Sequence, residues 1–200
     1  ALMPLASYPF SKKYGWVRDK YGITWQLYTG EKGDTDQYFV PTLMFVGKNN
    51  GKAKEAINFY ATVFPDSKTE GIMEYPEVGG EDTPGNVQHA QFHINGYTLA
   101  CMDSSLEHKF NFDEGISFQV LTNGQEETDY YWNNFVKDGG EESMCGWCKD
   151  KYGVSWQIVP NELMRYISDA DKGKAERATQ AMLKMKKIII ADLDKAVAGN

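Results

Sequence analysis

The sequence predicts an α+β fold in which the order βαβββ runs twice and a helical tail follows. Three observations carry that expectation. A thirteen-residue stretch at 146–158, Gly-Trp-Cys-Lys-Asp-Lys-Tyr-Gly-Val-Ser-Trp-Gln-Ile, has a close copy at 15–27, with eight of thirteen positions identical at a constant offset of 131. Both copies read as hairpins, because Asp-Lys-Tyr-Gly supplies turn residues ahead of a β-branched and aromatic run. A repeated hairpin signals a repeated domain. Between 41 and 160 strand and helix patterns follow one another in the same order twice, and weak internal matches join the halves. At an offset of 73 Phe45 meets Phe118, Gly51 meets Gly124 and Val63 meets Val136; at an offset of 57 the run 95–100 meets 152–157.

Taken in order, residues 1–30 hold the first hairpin copy and little before it, which makes them the C-terminal hairpin remnant of a preceding tandem domain. The alternative is two strands added to the edge of the complete domain. Residues 31–38 are charged and glycine-bearing, as suits a linker, and the complete domain is expected at 39–162 with modules 39–103 and 113–160. In the first module Pro41 to Val46 reads as a strand and Gly51 to Phe64 as an amphipathic helix through Ala53, Ala56, Ile57, Tyr60 and Phe64. Thr69 to Tyr75 reads as a strand, Gly79 to Gly85 as a loop, and Asn86 to Met102 as two strands turned at Asn95-Gly96. The second module repeats this with a strand at 115–122, a helix at 125–137, a break at Gly139-Gly140, a short strand near 141–144 and the closing hairpin. The tail, 163–200, is expected to be helical from Asp169 to Val197, with Ala175, Ala178, Met182, Met185 and Ile189 on one packing stripe.

Composition narrows the class. With 42% hydrophobic and 14% aromatic residues the chain can fill a packed core, and a net charge of −7 argues against nucleic acid or an anionic membrane as partner. No run of 18 apolar residues occurs, and the opening residues lack the charged and apolar regions of a secretion signal, so a cytoplasmic protein is expected. Three cysteines, an odd number, fit a reducing compartment.

The duplicated βαβββ unit with Ala-Ile-Asn-Phe-Tyr at 56–60 in its first helix resembles the vicinal oxygen chelate superfamily of glyoxalases, extradiol dioxygenases and antibiotic-resistance proteins. Gln88-His89-Ala90, Phe110-Asn111-Phe112, the run 116–120, Tyr131-Trp132, Gly140-Glu141-Glu142, Cys145-Gly146-Trp147, Ser155-Trp156-Gln157 and the tail at 181–187 look like its PhnB-like branch. Members of that branch often carry the name demethylubiquinone methyltransferase. A methyl-donor cofactor commonly needs a glycine-rich strand-to-helix turn, and none is read here, so that activity is set aside. The resemblance implies paired modules forming a curved mixed sheet with helices outside, a homodimer, and a shared concave face where metal-using members place His, Gln or Glu.

Aligning the strands puts Thr42, Ala100, Gly115 and Gln157 at the four positions the resemblance marks for ligands. Alanine and glycine have no donor atom, so no metal centre and no cofactor are expected. Period-two alternation turns Phe92 and Ile94 to the helices and leaves His89, Gln91 and His93 on the opposite face, with Ser117, Gln119, Ser155 and Gln157 there by the same parity. The candidate ligand-binding residues are therefore Thr42, His89, Gln91, Ser117, Gln119, Ser155 and Gln157. His89 is the candidate for acid–base work, since imidazole titrates near neutrality, and the alternative is a structural histidine bonded across strands. His93 lies roughly 13 Å further along the strand, too far to share one metal with it. Cys145 and Cys148 have redox or zinc spacing but no second pair, and strand alternation would turn them to opposite faces. Glu126, Glu127, Glu141 and Glu142 read as solvated or helix-dipole charges. The expected function is metal-independent binding of a small molecule. The alternatives are a metal-dependent lyase, isomerase or dioxygenase using His89 and Gln157, and a non-catalytic dimeric interaction protein.

Overall fold

A computed structural model describes residues 1–8, 11–30, 37–78 and 82–199. Residues 31–36 of the expected linker and 79–81 of the expected loop lie outside them. The chain divides into two compact units, 1–40 and 41–200.

In the first unit β1 (Met3–Tyr8), β2 (Ser11–Arg18) and β3 (Thr24–Tyr28) form an antiparallel sheet in chain order. The β2–β3 pair is the expected hairpin; β1, with polar and apolar residues mixed, was not legible. Asp19 explains the turn. Its Oδ1 accepts from the amides of Tyr21 and Ile23 at 2.9 and 3.0 Å, and its Oδ2 accepts from Trp25 Nε1 at 3.0 Å.

The second unit contains both modules. The first is β4 (Thr42–Val46), α1 (Ala53–Val63), β5 (Ser67–Glu74), β6 (Val87–Ile94) and β7 (Tyr97–Ser104), in sheet order β4-β7-β6-β5 with β4 parallel to β7. The second is β8 (Ser117–Thr122), α2 (Gly124–Val136), β9 (Glu141–Glu142), β10 (Trp147–Lys149) and β11 (Ser155–Pro160), in sheet order β8-β11-β10-β9 with β8 parallel to β11. The fold is thus α+β with paired βαβββ modules. The strands make two separately hydrogen-bonded mixed sheets, where one curved sheet was expected. Asn95 and Gly96, both with positive φ (46° and 76°), make the tight β6–β7 turn.

Both modules share one aromatic core. Tyr60 of α1 stacks at 6.2 Å on Phe92 of β6 and lies 5.6 Å from Trp156 of β11, while Trp156 stacks at 4.2 Å on Phe135 of α2. Each sheet turns one face to this core, through Phe92 on the first and Trp156 on the second, and its other, open face away from it. Trp132, Trp156, Tyr60, Phe45, Phe92 and Phe135 are all fully buried, each burial contributing roughly 1.5–3 kcal/mol.

A buried carboxylate ties this core to the repeated hairpin. Asp150 accepts from the amides of Tyr152 and Val154 (2.9 and 3.1 Å), from Trp156 Nε1 (2.9 Å) and from the Tyr60 hydroxyl (2.8 Å). Burial raises its pKa, and it is 2% exposed. The two amides and the indole, which Asp19 takes in the same way, are why Asp and Trp keep their spacing in both hairpin copies.

The tail differs from expectation. It is three helices, α3 (Asn161–Ile167), α4 (Lys172–Met182) and α5 (Ile190–Ala198), and the first starts before Asp169. Asp171 breaks the run by capping α4, its Oδ1 accepting from the amides of Gly173 and Lys174. The expected stripe therefore covers α4, through Ala175, Ala178 and Met182, and the segment after it, through Met185 and Ile189, rather than one helix. Leu163, Ile188 and Leu193 pack with Val159 of β11, and Gln125 of α2 bonds the backbone at Ile188 and Ile190.

Candidate functional site

Strand pairing fixes which candidate residues stand side by side. On β6 Ala90, Phe92 and Ile94 are buried in the core while His89, Gln91 and His93 lie on the open face, as alternation requires. Gln91 and Thr42 flank Ala100 across β6, β7 and β4. His89 lies opposite Met73 of β5; it is exposed, and partial desolvation lowers its imidazole pKa below the ordinary 6.5.

On the second sheet Ser117 pairs with Ser155 and Gln119 with Gln157. Gln157 Nε2 donates to Ser117 Oγ at 2.8 Å, and the buried Ser155 donates to the Asp113 carbonyl at 3.2 Å. Gln119 is exposed. This register corrects the sequence alignment: the residue across from Gln157 is Gln119, so the counterpart of Thr42 is Gln119, and Gly115 stands before β8 begins. Phe45 and Phe118 share a residue type without sharing a position. The four equivalent positions are thus Thr42, Ala100, Gln119 and Gln157. One hydroxyl, two neutral amides and a methyl group do not fit a divalent cation, which needs anionic or imidazole donors in a closed set. Among the described residues no three His, Cys, Asp or Glu side chains converge to hold a metal.

The structure brings Ser117, Gln119, Ser155 and Gln157 together on one open face, and Thr42, His89 and Gln91 together on the other. Within one chain the core stands between the two sets.

Three residues join these faces that alternation did not reveal. Trp147 pairs with Gln157 and Lys149 with Ser155, so both share the second sheet's open face, and Lys149 Nζ is held by Glu114 at 2.5 Å. Counting parity through the short β10 would have found them. Glu70 lies where the β5–β6 register slips between Thr69 and Gly71, a bulge that alternation cannot anticipate. Its carboxylate accepts from Gln91 Nε2 at 3.1 Å and lies 2.7 Å from His93 Nε2, while His93 Nδ1 is 3.0 Å from Thr98 Oγ1. The His93 bond, first among several, lowers the Glu70 pKa.

Two cavities open on the second unit. One of about 370 Å³ lies beside the segment joining the modules, lined by Val46, Asn50, Glu107, His108, Phe110 and Asn111 among others. Another of about 120 Å³ reaches the second open face through Ser155, Trp147 and Lys149, with Glu114, Glu141 and Glu142 at its rim. Neither takes in Thr42, His89, Gln91, Gln119 or Gln157.

Other sequence features resolve as structure. The strand-to-helix connection after β4 does carry two glycines, Gly47 and Gly51, but Asp103 Oδ1 already takes the amides of Gly51 and Ala53 (2.8 and 3.1 Å). Cys101 and Cys148 are buried, which pushes both thiols up to about 12. Cys145 precedes β10 in a left-handed turn (φ 61°), so strand alternation does not govern it. Glu127 accepts from the Asn123 amide at the start of α2, and Glu142 pairs with Lys186.

Residues 37–159 match the family described as 3-demethylubiquinone-9 3-methyltransferase. Among solved structures, the PhnB protein from Bacillus cereus is 35% identical, covering 62% of this chain and 99% of its own, with a TM-score of 0.56. A protein from Pseudomonas aeruginosa shares the fold at 19% identity and a TM-score of 0.53, covering 62% of this chain and 98% of its own. The fosfomycin resistance protein FosX from Listeria monocytogenes is 12% identical, with a TM-score of 0.44, covering 62% of this chain and 93% of its own. No functionally curated protein matches the chain.

Proposed function

Because the chain belongs to the family described as 3-demethylubiquinone-9 3-methyltransferase, the PhnB-like branch of the vicinal oxygen chelate superfamily, we propose that it binds a small polar molecule without a metal, as a homodimer. The observation that carries this reading is the chemistry of the open faces. Gln157, Gln119, Ser117 and Ser155 offer amide and hydroxyl groups beside the flat ring of Trp147, while Thr42, Gln91 and His89 offer the same kind of group on the other sheet. A ligand with several hydrogen-bonding groups and one apolar side suits such a surface. Since the core separates the two faces in one chain, a second copy is needed to set one against the other. His89 supplies the titratable group of the closed site, and Gln119 and Gln157 the orienting amides. Three free cysteines suit a reducing, cytoplasmic setting.

Native mass spectrometry of the protein purified from cells without chelator tests this. The expected species is a dimer carrying a small organic molecule and no stoichiometric metal, and a Gln119→Leu, Gln157→Leu variant stays dimeric while losing the molecule. A monomer, or a stoichiometric metal that the Gln157 substitution removes, would contradict the proposal.

A further inference from the structure

The two hairpin copies have the same internal chemistry and different surroundings. Asp19 and Asp150 hold the same two amides and the same indole, at 2.9, 3.0 and 3.0 Å in the first copy and 2.9, 3.1 and 2.9 Å in the second. Yet Trp156 and Tyr152 are 1% and 4% exposed, whereas their counterparts Trp25 and Tyr21 are 40% and 79% exposed. The sheets continue the likeness. The order β1-β2-β3 repeats β9-β10-β11, but β11 has β8 running parallel along its other edge, and among the described residues no strand pairs with that edge of β3. Among the described residues, an edge that no strand pairs stands beside exposed Trp25, Leu27 and Tyr28, as where a sheet continues onto a further strand.

The second copy displays what finishes it. Phe118 of β8 and Phe135 of α2 lie on Trp156 at 5.2 and 4.2 Å, the Tyr60 hydroxyl donates to Asp150, and Glu55 accepts from Lys151 Nζ (2.7 Å) and the Tyr152 hydroxyl (3.0 Å). The first copy keeps each complementary group: Asp19 for a hydroxyl, Lys20 for a carboxylate and Trp25 for a second ring beside the exposed Phe39, which lies 6.1 Å from it. Tyr60 and Glu55, which fill these roles in the second copy, are engaged there by Asp150 and Lys151.

We infer that β1–β3 close a second domain of this kind, and that the rest of that domain, belonging to the same polypeptide as its repeat does, docks here. It brings a strand parallel to β3, a helix whose ring lies on Trp25, and a helix with a carboxylate for Lys20 and a hydroxyl for Asp19. This inference is independent of the ligand-binding reading.

Hydroxyl-radical footprinting compares the 200-residue chain with the protein isolated from its source. In the 200-residue chain Trp25 and Tyr21 label and Trp156 does not; in the source protein labelling of Trp25 falls on the order of tenfold. A carbodiimide then joins Lys20 to an acidic residue five positions ahead of a tyrosine, the spacing of Glu55 and Tyr60. That link within one longer polypeptide supports the inference, and a link to a separate polypeptide overturns it. Equal labelling of Trp25 in the two preparations, or a Lys20 link into residues 41–200, overturns it. Asp19→Ala in the source protein restores Trp25 labelling while Trp156 stays protected, and unchanged protection of Trp25 would count against it.

Discussion

Replacing Asp150 by alanine tests the core arrangement at its most connected atom. The substitution strands four donors: the Tyr60 hydroxyl, the Trp156 indole and the amides of Tyr152 and Val154. Each buried donor left without an acceptor costs about 1–3 kcal/mol. Against that stands relief from burying a carboxylate, whose raised pKa shows that desolvation outweighs its hydrogen bonds. Removing one partner of such a buried network has a net cost of about 3–5 kcal/mol, a large part of the roughly 5–15 kcal/mol that holds a domain folded. Asp150→Asn should lose less, because one carbonyl oxygen still serves the two amides while Tyr60 and Trp156 lose theirs. Asp19→Ala is the internal control: the same local bonds are lost in an exposed hairpin, and the second unit should melt as before. Urea denaturation followed by tryptophan fluorescence reads all three variants. An Asp150→Ala protein within about 1 kcal/mol of the parent would refute the reasoning, since no four stranded buried donors could be so inexpensive.

Glu55 bonds Lys151, Lys52 and Tyr152, and these hold its pKa at about 2 against an ordinary 4.5. A depressed carboxylate stabilises the fold above pH 4.5 and loses that contribution as pH falls toward 2. With 45% of the side chain exposed the effect is screened to roughly 0.5–1 kcal/mol, so Glu55→Gln should flatten the acid limb of a stability–pH curve by that amount. His89 should titrate below 6.5 when followed by NMR, and its contribution to stability, present above 6.5, is lost as pH falls through the folded-state value; a value at or above 6.5 would contradict the desolvation described here. At pH 8 a thiol reagent should modify Cys145 rapidly and Cys101 and Cys148 only on unfolding, because the latter two thiols are buried and titrate near 12. Cys145→Ser should abolish the fast phase.

Much of this fold was legible because local signals and burial agree. Asn95-Gly96 marks a turn whose φ values few other residue pairs would accept, and the alternation of β6 follows from one face being wholly apolar. The repeated hairpin was legible because Asp150 needs its partners at fixed spacing. What completes the second copy, the Tyr60 hydroxyl on Asp150, lies 90 residues away in the sequence and leaves no local trace. The register of β8 was misread because a chance Phe45–Phe118 match outweighed a four-residue shift that only pairing with β11 reveals. Glu70 was missed because a bulge breaks the period on which the reading depended. The tail was drawn as one helix because its apolar stripe continues through the segment after Met182, where the helical backbone is interrupted before α5 begins at Ile190. Most consequentially, parity says which residues share the face of a strand but not which way two sheets look, so the candidate residues were expected around one hollow.

A crystal structure of the purified protein tests the proposed dimer most directly. The account predicts that His89 of one protomer faces Gln119 and Gln157 of its partner across an enclosed space about the size of a small ligand. Both sheets' open faces left in bulk solvent, with the protomers joined through the tail helices instead, would contradict it.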